Sequence, residues 1–95
     1  MNRHIFARAA QDLADIEAHI SADNRQAGAA VASSLRRAFD LIAARPEIGR
    51  PLTRPNIREW SVPGLPYVIP YRVRPDRIEI LRVFHTSRKR PTEWQ

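Results

Sequence analysis

Apolar residues recur with helical spacing through the first half of the chain. One amphipathic helix ending near Asp23 is predicted by the stripe formed by Leu13, Ile16 and Ile20. A second helix is predicted by the stripe formed by Val31, Leu35, Ala38 and Ile42. Asn24 is a suitable N-cap for this second helix, and Pro46 prevents its continuation. The connection between the helices is so short that we expect an antiparallel hairpin with both stripes facing one layer.

After Pro46, β-branched and aromatic residues replace alanine, and the apolar pattern becomes that of strands. The predicted meander has three strands, Ile57–Val62, Tyr67–Val73 and Arg77–His85. A short strand, Arg3–Phe6, is predicted before the first helix. Because a proline inside a strand cannot donate a ladder hydrogen bond, we expect a local irregularity at Pro70.

Neither face of the predicted meander is cleanly polar. In the last strand, alternation assigns one face to Ile78, Ile80, Arg82 and Phe84, and the other to Glu79, Leu81, Val83 and His85. We therefore expect a core face beneath the helices and a second, partly apolar face that serves as the working surface. In the alternative interpretation these residues complete the core, with arginine stems lying over apolar neighbours.

The length of the chain, 95 residues, fits one domain covering 1–95. Cysteine is absent, which excludes disulfides and thiolate metal ligands and suits a cytoplasmic protein. The N-terminal residues lack the apolar run of a signal peptide, and no stretch approaches the roughly 20 apolar residues that span a bilayer. We expect a soluble, cytoplasmic protein that does not associate with membranes.

The formal net charge of +6 is concentrated in the second half of the chain. Residues 45–95 contain eleven basic and five acidic side chains, whereas residues 1–44 contain five of each. Fifteen of the sixteen cations are arginines, whose planar guanidinium pairs well with carboxylate or phosphate. This favours a partner rich in one of these anions, with a merely solvated basic surface as the alternative.

The candidate chemistry is limited to arginines and one histidine near the end of the last strand. The three histidines lack metal-ligand spacing, and no glycine-rich phosphate loop is present, so neither a metal nor another cofactor is expected. In one interpretation the arginines stabilise a scissile phosphate while His85 or Glu59 transfers a proton, as in a metal-free ribonuclease. In the other, Arg82 pairs with Glu59 or Glu79, and His85 is an ordinary strand-end residue.

The order of elements, together with "RPEIGRPL", "IREWSVPGLPYVIPYRV" and "IEILRVFHTSRKRP", resembles the ParE/RelE superfamily of bacterial type II toxin–antitoxin toxins. The resemblance runs nearly end to end and is closer to the ParE-like branch. It implies an α+β fold, in which a small antiparallel sheet, made of the N-terminal strand and the meander, packs against the helical hairpin. It also implies a growth-arresting toxin that a cognate antitoxin neutralises.

The RelE-like branch consists of ribosome-dependent messenger-RNA endonucleases, and this chain departs from its catalytic pattern. The basic positions of the meander correspond here to Glu59, Ser61 and Val68, none of which is basic. Arg88 matches a later arginine, and Trp94 replaces the terminal tyrosine. If the chain is nevertheless a nuclease, its candidate catalytic residues are His85, Arg88 and Arg82.

The ParE-like branch inhibits DNA gyrase by binding, without chemistry by the toxin. This function fits the arginine-rich second half, so DNA gyrase is the expected target and the ribosome with its messenger RNA is the alternative. Whether the protein is an enzyme stays open at this point. The candidate residues for binding target or antitoxin are Arg58, Arg72, Arg74, Arg82, His85, Arg88 and Trp94.

Overall fold

A computed structural model describes residues 1–87 of the chain. Two helices and six strands follow one another in this part. In chain order they are β1 (Asn2–Ile5), α1 (Ala7–Ser21), α2 (Arg25–Ala44), β2 (Arg50–Pro51), β3 (Ile57–Ser61), β4 (Tyr67–Val73), β5 (Arg77–Ile80) and β6 (Phe84–His85). The two-residue strand β2 was not predicted from the sequence.

The predicted helical hairpin is confirmed, including its cap. The Asn24 side chain accepts a hydrogen bond from the Ala27 main-chain N–H at 3.0 Å, which satisfies one of the free donors at the start of α2. The helix α2 ends at Ala44, two residues before Pro46. In the part of the chain described here, neither helix combines the length and hydrophobicity needed to cross a membrane.

The two helices are in close contact at Gly28. A Cβ atom at this position would lie 2.0 Å from the Ser21 Oγ and 2.9 Å from the Glu17 main-chain oxygen. A larger residue would therefore force the helices apart, because the carbonyl group belongs to the backbone of α1 and cannot rotate away.

The α+β class is confirmed, but the sheet is mixed rather than wholly antiparallel. Its strand order is β1-β5-β4-β3-β2, with β6 also paired to β4. The first strand runs parallel to β5, and every other pair is antiparallel. Parallel pairing is possible because the helical hairpin and the other strands separate β1 from β5 along the chain, whereas the consecutive strands of the meander are joined by tight turns.

Both helices cover one face of this sheet. The core is formed by residues of α1 and α2 together with alternate residues of the strands, among them Leu13, Leu35, Phe39, Ile42, Ile69, Tyr71, Ile78 and Ile80. Alternation turns Val68, Pro70 and Arg72 to the opposite side, which we call the outer face.

The apolar side chains of the outer face are buried, whereas the sequence predicted that they would be exposed. Ile57, Val68, Leu81 and Phe84 are all at most 7% exposed. Among residues 1–87, the only large apolar side chains that are exposed are those of Met1 and Leu41. The prediction of a partly apolar working surface is therefore wrong for the described residues, since both sides of the central strands bury their apolar groups.

The predicted strand Arg77–His85 is interrupted after Ile80, next to Pro70. Pro70 has no N–H that could donate a hydrogen bond to the neighbouring strand, and its carbonyl accepts from the Leu81 N–H at 3.1 Å. The register places one extra residue between Ile80 and Phe84 relative to β4, which makes the interruption a bulge. The irregularity predicted at Pro70 is thus confirmed, but it falls in the neighbouring strand.

The bulge also corrects the predicted faces of the last strand. Ile80 pairs with Tyr71 and points to the helices, whereas Phe84 pairs with Val68 and points to the outer face. Assigning both residues to one face was wrong, because an extra residue reverses the alternation.

Tyr71 fastens the segment after α2 to the central strand. Its hydroxyl donates to the Pro46 carbonyl at 2.6 Å and accepts from the Gly49 N–H at 2.9 Å. Gly49 must be small, because a Cβ atom there would lie 2.7 Å from this hydroxyl oxygen. Burial raises the pKa of Tyr71, so the hydroxyl keeps its proton and both hydrogen bonds at neutral pH.

We expect Tyr71→Phe to lower the free energy of unfolding by about 2 kcal/mol, because it leaves a buried carbonyl and a buried N–H without their partner. Urea denaturation measures this loss. Tyr67→Phe is the matched control, since no hydrogen bond of the Tyr67 hydroxyl is found within residues 1–87. Equal losses in the two variants would contradict a fastening role for Tyr71.

Candidate functional site

Three arginines converge on one carboxylate on the outer face. The register of β4 and β5 places Arg72 opposite Glu79, and alternation turns Arg74 and Arg77 to the same side. Glu79 Oε1 accepts from Arg72 Nη1 at 3.2 Å and from Arg74 Nε at 3.3 Å. Its Oε2 accepts from Arg77 Nε at 3.2 Å and from Arg77 Nη2 at 2.8 Å. We call these four residues the arginine cluster.

The Glu79 side chain stays ionised in this position. Burial by itself would raise the pKa of Glu79, but the hydrogen bond from Arg77 and the charges of Arg74, Arg77 and Arg72 outweigh it and lower the pKa below its ordinary value. Only the carboxylate is deeply buried, since the side chains of Arg74 and Arg77 are 45% and 44% exposed. The cluster therefore exposes the guanidinium groups of Arg74 and Arg77 to solvent, while the Glu79 carboxylate beneath them is buried.

A second buried carboxylate lies on the same face. Glu59 is 5% exposed, and its Oε1 accepts from Arg50 Nη2 at 3.2 Å. Val68, which also occupies a position that is basic in RelE-like toxins, is 3% exposed. These two positions hold a paired anion and a buried apolar side chain, so neither offers a cation to a substrate.

A groove of about 590 Å³ separates α1 from the end of the sheet. We call it the α1 groove, and its lining includes Asp12, Ile16, His19, Tyr67, Phe84 and His85. Among residues 1–87, histidine and acidic side chains form no group of three that could hold a metal ion.

Arg82 lies at this groove and is bound to α1. Its Nε and Nη2 donate to the two carboxylate oxygens of Asp12 at 2.7 and 3.1 Å, and the Val83 N–H donates to the same carboxylate at 2.9 Å. The expectation that Arg82 pairs with Glu59 or Glu79 is wrong, because the bulge turns Arg82 away from the outer-face carboxylates. The pair joins the start of α1 to the irregular segment.

His85 stands at the groove with one ring nitrogen occupied. Its Nδ1 accepts from the Ser87 N–H at 3.1 Å and lies 2.7 Å from the Ser87 Oγ. Because a main-chain N–H can only donate, neutral His85 carries its proton on Nε2. The ring also contacts Tyr67 edge to face, with centroids 5.4 Å apart. This tautomer can donate a hydrogen bond from Nε2, while the lone pair of Nδ1 is engaged by the Ser87 N–H.

The residues predicted to bind a partner lie in separate places in the structure. Arg72 and Arg74 meet in the arginine cluster, and Arg82 and His85 meet at the α1 groove. Arg58 is separate from both groups, because its Nη1 donates to the carbonyls of Glu47 and Gly49 at 3.2 and 2.7 Å. Two further candidates, Arg88 and Trp94, lie outside the described residues.

Sequence reasoning missed two members of these sites, Arg77 and Asp12, and gave Glu79 the wrong arginine as its partner. Arg77 and Glu79 stand on one side of β5, and a lone glutamate among apolar strand residues next to several arginines was a usable signal for the cluster. Asp12 gave no such signal, since it is 70 residues from Arg82 in the chain.

We expect Glu79→Gln to lower the free energy of unfolding by about 3 kcal/mol at pH 7, because three arginines lose their buried counter-charge. The difference from the parent should shrink as the pH falls below about 4. A carboxylate whose pKa is lowered by folding stabilises the folded state at pH values above its pKa in the unfolded chain. This contribution disappears as the pH falls through its pKa in the folded protein.

Urea denaturation at neutral and acidic pH measures both effects. Glu17→Gln is the control, because the ion pair of Glu17 with Arg36 is long, at 3.7 Å, and partly exposed. A difference between Glu79→Gln and the parent that stays constant with pH would show that the cluster is not held together by charge.

Comparisons with known proteins agree with this architecture. Residues 5–90 match the family described as ParE toxin of type II toxin–antitoxin system, parDE. A protein of Sinorhizobium fredii, described as a candidate toxin, Y4kP, is 38% identical over 84 residues, which cover 88% of this chain and 86% of the relative.

A solved structure has the same fold. It is described as a chromosomal ParDE TA system from P. aeruginosa, and it superimposes with a TM-score of 0.80 over 92% of this chain and 97% of the other. At 23% identity this likeness concerns the fold alone. The family match covers nearly the whole sequence, and the S. fredii relative supports it independently. The chain therefore belongs to the ParE toxin family of type II toxin–antitoxin systems.

Proposed function

We propose that this toxin arrests growth by binding DNA gyrase and that a cognate antitoxin neutralises it. Family membership supplies the toxin class. The observation that favours binding over catalysis is the state of the ionisable side chains at the candidate sites. Glu79, Glu59 and Asp12 are each committed to arginines, and Nδ1 of His85 is committed to Ser87.

A metal-free nuclease needs a side chain that can exchange a proton and cations aimed at the scissile phosphate. Glu59 is an ionic partner of Arg50, and the lone pair on Nδ1 of His85 is occupied. Arg82 is turned to Asp12. The described residues thus provide surfaces for recognition, which is what inhibition by binding requires.

We expect the purified toxin to inhibit supercoiling by DNA gyrase and to increase the amount of cleaved DNA that gyrase holds. Agarose gels of relaxed and cleaved plasmid measure both effects over a range of toxin concentrations. The same toxin saturated with its antitoxin is the control and should leave gyrase active. Unchanged gyrase activity at large toxin excess, together with cleavage of ribosome-bound messenger RNA, would reject the proposal in favour of the nuclease.

The α1 groove is the proposed contact for the antitoxin. Its walls combine apolar surface, such as that of Ile16 and the Tyr67 ring, with the neutralised pair of Asp12 and Arg82. Such a lining suits a segment that inserts apolar side chains between a helix and a sheet. The P. aeruginosa protein of the same fold belongs to a ParDE system, which supports an antitoxin of the ParD type for this chain.

We expect His19→Glu to weaken the toxin–antitoxin complex by about tenfold or more, because it adds a carboxylate beside Asp12 and Asp15 in a groove that the antitoxin covers. Titration calorimetry measures the affinity. Ala30→Glu is the control, since it adds the same charge at an exposed position of α2 outside the groove lining. If both variants bind the antitoxin as the parent does, the antitoxin does not use this groove.

A further inference from the structure

The arginine cluster holds more hydrogen-bond donors than its carboxylate can use. Each guanidinium carries five N–H groups. Only four N–H groups of the three arginines reach Glu79. The remaining contact is a long one, 3.6 Å from Arg77 Nη1 to Asp76, whose side chain is 75% exposed. Most donors of Arg74 and Arg77 are therefore available to an incoming anion.

Glu79 orients the three guanidinium groups but neutralises only one of their three positive charges. One buried negative charge faces three positive ones, and Asp76 contributes little because it is widely exposed to solvent. Arg72 is held most firmly, at 14% exposure, and the other two guanidiniums are fixed through their inner nitrogens. An anion that binds here meets ordered donors, so less side-chain entropy is lost on binding.

We infer that the arginine cluster binds the phosphates of duplex DNA. Its role at the gyrase complex rests on the proposed function, whereas DNA binding itself can be measured without gyrase. The contact is to the backbone and carries no base specificity.

The spacing of the cluster fits a closely charged backbone. Arg72 and Arg74 are two residues apart on one strand side, which is about 7 Å. The Arg74 N–H donates to the Arg77 carbonyl at 2.9 Å, so Arg77 stands directly across from Arg74. Duplex DNA offers phosphates at short, regular intervals, and several of them can meet such a group together.

The described surface favours a duplex over a single strand. Proteins that bind single-stranded nucleic acid stack its bases on aromatic side chains. Among residues 1–87, no phenylalanine, tyrosine or tryptophan side chain is exposed, and the exposed rings are the smaller imidazoles of His4 and His19. Guanidinium groups without one of the larger stacking rings suit phosphate contacts along an intact duplex.

The test replaces Arg74 and Arg77 together by glutamine and leaves Arg72 to neutralise Glu79. Fluorescence anisotropy measures binding of a short labelled duplex of mixed sequence at several salt concentrations. We expect weaker binding and a slope of log affinity against log salt that is smaller in magnitude by about two, one for each phosphate that the variant no longer binds. A duplex of scrambled sequence should behave in the same way.

Arg8→Gln combined with Arg25→Gln is the matched control. Both side chains are exposed on the helices, and they make no ion pair or hydrogen bond within the described residues. This control loses the same net charge and should retain the parent slope. Circular dichroism and urea denaturation verify the fold. If the double variant does not fold, Arg74→Gln alone should change the slope by about one.

An unchanged slope in the cluster variant, or an equal loss in the control, would overturn the inference. Displacement of the parent from duplex DNA by an equal charge concentration of polyglutamate would also overturn it, because it would identify carboxylates as the preferred anion. If gyrase is inhibited but the cluster variant binds DNA normally, only the inference fails. If the cluster binds DNA but gyrase is unaffected, only the proposed function fails.

Discussion

The arrangement of both candidate surfaces depends on a hydrogen bond that Pro70 cannot make. Because this residue of β4 lacks an N–H, the neighbouring strand cannot continue its ladder and ends at Ile80. The bulge that follows turns Arg82 toward α1, where Asp12 binds the guanidinium and the Val83 N–H. Residues after the interruption line the α1 groove. Residues before it keep the regular register that brings three arginines to Glu79.

The two surfaces use arginine in different ways. At the groove, Arg82 is neutralised by a bidentate ion pair and serves to join α1 to the sheet. In the cluster, a single buried carboxylate is shared by three guanidiniums, which stay partly exposed. The same residue type thus fixes the structure in one place and leaves positive charge exposed to solvent in another. A count of arginines along the chain does not distinguish these roles.

Family membership makes the chain a toxin, and the proposal that it acts by binding rests on how its ionisable side chains are paired. The positions at which RelE-like members are basic hold Glu59 and Val68, both buried here. The histidine that resembled a general base has its Nδ1 engaged by the Ser87 main chain. These features of burial and hydrogen bonding support the proposed binding function over a nuclease.

The sequence by itself determined the local elements, because helical stripes, the Asn24 cap and proline positions act through neighbouring residues. Through the family resemblance it also implied the α+β class, and it predicted an irregularity at Pro70 that the structure places in the neighbouring strand. Only the tertiary structure decided that β1 runs parallel to β5, that Arg82 binds Asp12, and that Arg58 belongs to neither surface. These choices depend on contacts between distant residues and on a one-residue change of register. Local patterns carry no information about either, since a single bulge reverses which face every later side chain occupies.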